Sequence, residues 1–192
     1  MIDVLNNIDV NILYWVNSHH SNFLDQVMVF ASGKLTWVVF YLFLLFLIIK
    51  KYKYKAVLAV LFIAIAITLS DQASVRLFKN VFLRLRPCHQ PDVMENLRMI
   101  IGCGGRYGFV SSHAANSFAL VAFIILLLQK RWVSMMMIIW GTLIIYSRVY
   151  LGVHYPSDVI AGSMVGIIAG GIAFGLFFIT EKKCRKKLTP NI

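Results

Sequence analysis

Apolar residues in this chain run in blocks instead of alternating with polar ones. Five blocks stand out: about Leu35 to Ile49, Ala56 to Phe78, Ala114 to Leu128, Trp132 to Tyr146 and Val159 to Ile179. Apolar runs of roughly 18 or more residues are membrane-span candidates. The first, third and fourth blocks fall short of that length and need flanking aromatic and polar residues to complete a crossing. The pattern predicts an all-α integral membrane helical bundle with about five transmembrane helices. Ahead of the first block, Leu5, Ile8, Ile12, Trp15 and Val16 recur at helical spacing, with Asn6, Asn7, Asp9, Asn11 and Asn17 between them. That segment is too polar to cross a bilayer and predicts an amphipathic helix lying in the interface. Phe23, Leu24, Val27, Met28 and Phe30 form another such helix or extend the first span. The adjacent His19 and His20 read as a solvated turn more readily than as a metal pair.

Residues 1–192 are therefore expected to form a single membrane domain: an interfacial segment over 1–33, a connector over 79–112 and a basic tail over 180–192. Composition agrees, because 59% hydrophobic and 14% charged residues exclude an ordinary soluble domain. Asp3 and Asp9 stand where a cleavable signal peptide would carry basic residues, so none is expected. A net charge of +11 would suit nucleic acid, but the cations are clustered. Lys50, Lys51, Lys53 and Lys55 lie between blocks one and two, Lys130 and Arg131 between three and four, and Lys182, Lys183, Arg185, Lys186 and Lys187 in the tail. With five spans all three clusters face one side, and short basic loops mark the cytoplasm. They read as a rim touching anionic lipid, with no nucleic-acid partner.

The other face then collects the chemistry. Lys79 is followed after six residues by Arg86-Pro87, and on a continuous helix ended by Pro87 the two cations would share a face. Arg84 is near enough to join a headgroup contact. Ser111-Ser112-His113 opens the third block, where one serine caps a helix whose free N–H groups suit an anion. His113 could there give a proton to a leaving oxygen. Arg148 closes the fourth block, and His154-Tyr155-Pro156-Ser157-Asp158 opens the fifth. Asp158 can reach back to one nitrogen of His154, leaving the other as a nucleophile. Capping and interfacial anchoring explain each cluster alone, but not Arg148 or the shared face.

In order and spacing these residues resemble the type 2 phosphatidic acid phosphatase family: Lys79-x6-Arg86-Pro87, Ser111-x-His113, and Ser147-Arg148-x5-His154-x3-Asp158. The middle motif departs from the family's usual Pro-Ser-Gly-His, reading Val110-Ser111-Ser112-His113; Ser112 keeps its N–H, so activity is expected to survive. The resemblance implies a metal-independent, cofactor-free lipid phosphatase acting through a phosphohistidine on His154. It implies Asp158 as orienter, His113 as proton donor, and Lys79, Arg86, Ser111, Ser112 and Arg148 around the phosphate. Family substrates include undecaprenyl diphosphate, lipid A phosphate and phosphatidylglycerophosphate; the alternative is an idle relative that binds or moves phospholipid. The expected location is a bacterial inner membrane, with the site facing the periplasm.

Cys88 and Cys103 lie in the connector and Cys184 in the tail. The first two bridge, remain free, or join His89 at a metal; a bridge would close a loop of about 15 residues, contributing on the order of 3 kcal/mol. Gly162, Gly166 and Gly170 recur every four residues and let helices approach closely, within the bundle of a monomer or along a homodimer seam.

Overall fold

The computed structural model describes residues 2–33 and 35–188, with side chains over 6–33 and 35–184. Expectations for the side chains of Asp3, Leu5, Arg185, Lys186 and Lys187 lie outside the described residues. The chain is helical almost throughout. Helix α1 (Ile2–Ser18) leads to α2 (Asn22–Ser32), whose first turn is capped by Ser21 Oγ accepting from Leu24 N at 3.2 Å. α2 ends at Gly33, which turns extended (φ −70°, ψ 144°), and so is separate from α3 (Val38–Tyr52). A tight turn over Lys53–Lys55 precedes α4 (Ala56–Ala73), which widens through a π-helical turn at Ser74–Lys79 into α5 (Asn80–Phe82). After the connector, which holds α6 (Pro91–Met94), come α7 (Ser112–Leu128), α8 (Arg131–Tyr150) and α9 (Pro156–Leu188).

Among the described residues, three stretches are long and apolar enough to cross a membrane: Val38–Phe82, Arg131–Tyr150 and Pro156–Cys184. Ser112–Leu128 is apolar but shorter. The first stretch folds back on itself at the basic turn. Lys51 Nζ donates to Leu127 O at 2.6 Å and Lys55 Nζ meets Glu181 at 2.6 Å, so that turn lies where α7 and α9 finish. Lys79 Nζ lies at the opposite end, donating to Ser112 Oγ at 2.7 Å.

α7 packs most extensively on α9, and the glycines are the reason. A Cβ on Gly162 would lie 2.6 Å from Ser111 O, on Gly166 2.2 Å from Ala115 O, and on Gly170 2.4 Å from Ala119 O. The stripe serves packing inside the bundle. One apolar core, with Leu44, Phe123, Leu127, Met137 and Phe177, fills the basic half. A second, with Leu13, Val16, Met28, Tyr150 and Val153, binds α1 and α2 to the other end. Ile8, Ile12 and Trp15 face outward from α1, whereas Asp9, Leu13 and Asn17 are buried against the protein. Of the three consecutive methionines, Met137 is core and Met135 exposed.

The connector is docked by polar bonds. Arg98 grips Asp25 with Nη1–Oδ1 at 2.7 Å and Nη2–Oδ2 at 2.5 Å, while Tyr150 donates to the same carboxylate at 2.7 Å. The hydrogen bonds from Arg98, ahead of that from Tyr150, hold the Asp25 carboxyl down at about 2. Asn17 ties the chain at both Tyr150 O and Arg98 O, at 2.8 and 3.1 Å. These bonds fix the connector over the end of the bundle that carries Ser112 and His154.

Candidate active site

His154 sits between α8 and α9 and is fully buried, as is Asp158. Pro156 supplies the preset φ of the first helical position, which places Asp158 one turn beyond His154. Asp158 Oδ2 lies 3.3 Å from His154 Nδ1 and accepts from Tyr155 N at 3.1 Å. The other ring nitrogen, Nε2, is buried and has no hydrogen-bond partner among the described residues; Arg148 Nε is in the same position. Buried polar atoms are ordinarily paired, and these two, with Trp140 Nε1, are the exceptions among the described residues. Burial, followed by the charges of Arg86, Arg148 and Lys79, holds the His154 imidazole well below its ordinary pKa. The ring is neutral, the form a nucleophile needs, and with Nδ1 turned to Asp158 its Nε2 is the nitrogen suited to attack.

The three cations arrive from separate elements. Lys79 ends the π-helical turn and holds Ser112 Oγ. Arg148, in the last turn of α8, is 6% exposed and donates through Nη1 to Ser32 Oγ of α2. Arg86 comes from neither helix. The expected continuous helix from Lys79 to Arg86 does not form: α5 stops at Phe82, Leu83 takes a left-handed conformation at φ 50°, and Arg86 is extended at φ −68°, ψ 156°. Pro87 disfavours the helical region for the residue before it, and Leu85 pairs instead with Tyr107. Arg86 Nη1 then donates to Cys103 O at 2.9 Å and Nε to Tyr107 O at 3.4 Å.

Ser111 is the N-cap of α7: its hydroxyl accepts from Ala114 N at 3.4 Å and its N–H donates to Asp158 O at 3.0 Å. Ser111 thereby ties the start of α7 to the start of α9. His113 and Ser112 are half-buried and line the mouth of a cavity of about 650 Å³ that runs between α3, α4, α7 and α8 to Leu44, Ile48 and Ile124. Cys88 and Cys103 are joined by a disulfide with Cα atoms 5.9 Å apart. Bonding to Cys103 takes the Cys88 thiolate away from any metal shared with His89.

Sequence reasoning missed part of the wiring. Arg84 is not turned to a headgroup. Its Nη1 donates to Asp158 Oδ1 at 3.0 Å and Ser157 Oγ at 2.7 Å, and its Nη2 donates to Asp9 Oδ2 at 2.7 Å. Its guanidinium lies 4.1 Å from the centroid of the Tyr155 ring. Asp9 in turn accepts from Ser157 N at 2.9 Å and from the Ser157 hydroxyl. The signal for Asp9 was present: it shares a helical face with Leu13 and Val16.

A helical membrane bundle that gathers three cations around a buried neutral imidazole, itself held by a carboxylate, has the chemistry to hold a phosphate. Comparison with known proteins gives the family. The chain belongs to the PAP2 superfamily, whose profile matches residues 61–181. It is 38% identical over 185 residues to the lipid A 4'-phosphatase of Bacteroides thetaiotaomicron, covering 95% of this chain and 81% of that one. It is 30% identical over 161 residues to an undecaprenyl-diphosphatase of Sulfolobus acidocaldarius, covering 82% and 73%. The crystal structure of Aquifex aeolicus LpxE superposes with a TM-score of 0.64 at 25% identity, covering 86% of this chain and 93% of that one.

Proposed function

We propose that this protein is an integral membrane lipid phosphatase that removes phosphate from a glycolipid of the lipid A class. The observation that carries the reading is His154: buried, neutral, bonded to Asp158 through Nδ1, and with Nε2 unpaired among three cations. In the proposed reaction Nε2 attacks phosphorus and the P–O bond to the lipid breaks. His113 gives its proton to the departing alkoxide. Asp158 orients the ring and balances the charge it gains. Lys79, Arg86, Arg148 and the Ser112 N–H hold the three non-bridging oxygens, the positioning and charge neutralisation that phosphoryl transfer chiefly requires. Ser111 sets the helix start from which that N–H projects. Water attacks the phosphohistidine, giving up a proton to His113, and inorganic phosphate leaves with His154 restored.

The lipid A class is favoured because that relative aligns along nearly the whole chain. The cavity supports a lipid substrate, since it begins at Ser112 and His113 and continues among apolar side chains. The idle, lipid-binding alternative leaves the buried His154–Asp158 pair without a purpose. In this reading the chain crosses the cytoplasmic membrane five times and the site opens on its outer face. The basic residues at Lys50–Lys55, Lys130–Arg131 and Lys182–Lys183 support a cytoplasmic assignment for the opposite face, and the disulfide suits an oxidising compartment.

The test is phosphate release by purified protein from 4'-phosphorylated lipid A and from undecaprenyl diphosphate, with chelator present. Release from the first, lost in His154→Ala, is the expected result. Trapping of labelled phosphate on His154 in wild type denatured under alkaline conditions, where a phosphorus–nitrogen bond survives, would identify the intermediate. Release that survives His154→Ala would overturn the mechanism.

A further inference from the structure

Asp71 is a carboxylate in the apolar helix α4, about two helical turns before Lys79 and outside the set of residues proposed to hold the phosphate. An ionisable residue at such a depth is costly and marks a function by default. It is not sealed into the core; it lines the cavity together with Asn116 and Ser117. The Asn116 side chain is oriented on both sides. Ser70 Oγ lies 2.6 Å from its Oδ1, and its Nδ2 donates to Asp71 Oδ1 at 3.4 Å. A carboxylate offers about four acceptor positions, and this long bond occupies one. The result is a polar shelf on an otherwise greasy wall.

The position of the shelf says what it can read. Asn116 lies four residues beyond Ser112, about 6 Å along α7, and Asp71 eight residues before Lys79, up to about 12 Å along the helix. Both distances run from the phosphate end towards Leu44, Ile48 and Ile124. A group bound there is several bonds from the phosphorus, where the headgroup of a lipid passes into its chains. Polyprenyl chains carry neither donor nor acceptor at that point, and glycerol esters carry only acceptors, which a carboxylate repels. An N-acylated or hydroxyacylated sugar carries N–H and O–H donors there.

Resting on the phosphatase reading above, we propose that Asp71, positioned by Asn116 and Ser70, is a specificity residue that accepts hydrogen bonds from amide or hydroxyl donors at the headgroup–chain junction. It selects phosphorylated acyl-amino sugars over polyprenyl phosphates. A hydrogen bond to a charged acceptor is roughly twice as strong as a neutral one, so the selection amounts to about tenfold or more.

The experiment separates this from the catalytic reading. An N-acylglucosamine lipid without phosphate, and its N- and O-methylated counterpart without donors, are titrated into the full-length His154→Ala protein. Fluorescence of Trp37 and Trp140, which line the cavity, reports binding. The donor lipid is expected to bind about tenfold tighter than the methylated one. Asp71→Leu brings that ratio to about one, and Asp71→Asn, which keeps a neutral acceptor, to about threefold. The asparagine variant carries the test if the leucine variant does not fold. In otherwise wild-type enzyme the ratio of kcat/KM for the phosphorylated sugar lipid over a polyprenyl phosphate falls by a similar factor. An Asp71→Leu protein that keeps the binding ratio, or a His154→Ala protein that shows none, overturns the proposal. Wild type that discriminates the two lipids yet releases phosphate from neither overturns only the phosphatase reading.

Discussion

The contact between α7 and α9 can be broken with a single carbon. A Cβ on Gly166 would stand 2.2 Å from Ala115 O, 2.8 Å from Ala119 N and 3.0 Å from Ala115 C. All three atoms are backbone, so no side chain can swing aside. Ordinary contact between heavy atoms begins near 3.5 Å, so Gly166→Ala must drive the helices apart by about 1 Å. Overpacking of this kind costs roughly 1–3 kcal/mol. The same displacement reaches the site, because the Ser111 N–Asp158 O bond of 3.0 Å joins these helices beside His154. A shift of about 1 Å in a catalytic constellation costs on the order of 100-fold in rate. Gly171, one residue further along α9 from Gly170, is the control: a Cβ there meets nothing within 4 Å. Gly171→Ala should therefore gain helix propensity, up to about 1 kcal/mol, and leave kcat alone. The assay is thermal unfolding and lipid phosphate release on the purified proteins. Equal melting temperatures and equal kcat for Gly166→Ala and Gly171→Ala would refute the reasoning.

Four further outcomes are expected. Arg84→Gln leaves Asp158 and Asp9 without their shared cation, and kcat should fall about 10- to 100-fold with little change in KM, whereas Arg86→Gln should chiefly raise KM; steady-state kinetics separates them. Reduction of the Cys88–Cys103 bridge, or Cys103→Ser, frees the segment whose Cys103 O accepts from Arg86. KM should rise several-fold with added reductant, and a reductant-insensitive wild type would count against it. Because burial and then the three cations hold His154 below the ordinary imidazole pKa, the acid limb of kcat/KM should lie below pH 6.5. Removing the Arg86 charge should move it upward. The same shift means the unfolded chain binds the extra proton first, so stability falls as pH drops below about 6.5. For Asp25 the sign is that of a strengthened acid: Arg98 lowers its pKa from 3.8 to about 2. Its contribution is complete above the ordinary value and disappears as pH falls through about 2, a dependence that Asp25→Asn should remove from the acid unfolding curve.

The two ends of the bundle divide the work. At the basic end, helix termini are sealed by lysines on carbonyls, as where Lys51 donates to Leu127 O and Leu128 O at 2.6 and 3.1 Å. At the other end buried charges are linked in a chain, Asp9 to Arg84 to Asp158 to His154. A buried ion pair adds little net stability because desolvation offsets its attraction. Here it holds a carboxylate at one orientation beside the imidazole it must support.

Local rules made much of this legible in one dimension. Apolar blocks mark the long helices because only a hydrogen-bonded helix or a closed barrel satisfies its backbone within lipid. Pro156 and Ser111 mark helix starts, and the spacing of His154 and Asp158 puts them one turn apart, since these effects act within a few residues. The Lys79-x6-Arg86 spacing was equally visible, yet a helix was the wrong frame for it: the return of Tyr107 beside Leu85 decides where Arg86 points. Arg84 stood near enough in sequence for a headgroup contact, and in the fold it bonds to Asp158; Asp9 stood among the polar positions of α1 and is buried. Gly162, Gly166 and Gly170 announced a close approach without naming the partner, which is α7. Those partnerships join residues tens of positions apart, and they depend on how the helices pack against each other. Periodicity along a chain reports which face of a helix is apolar; only the packed structure determines what that face meets.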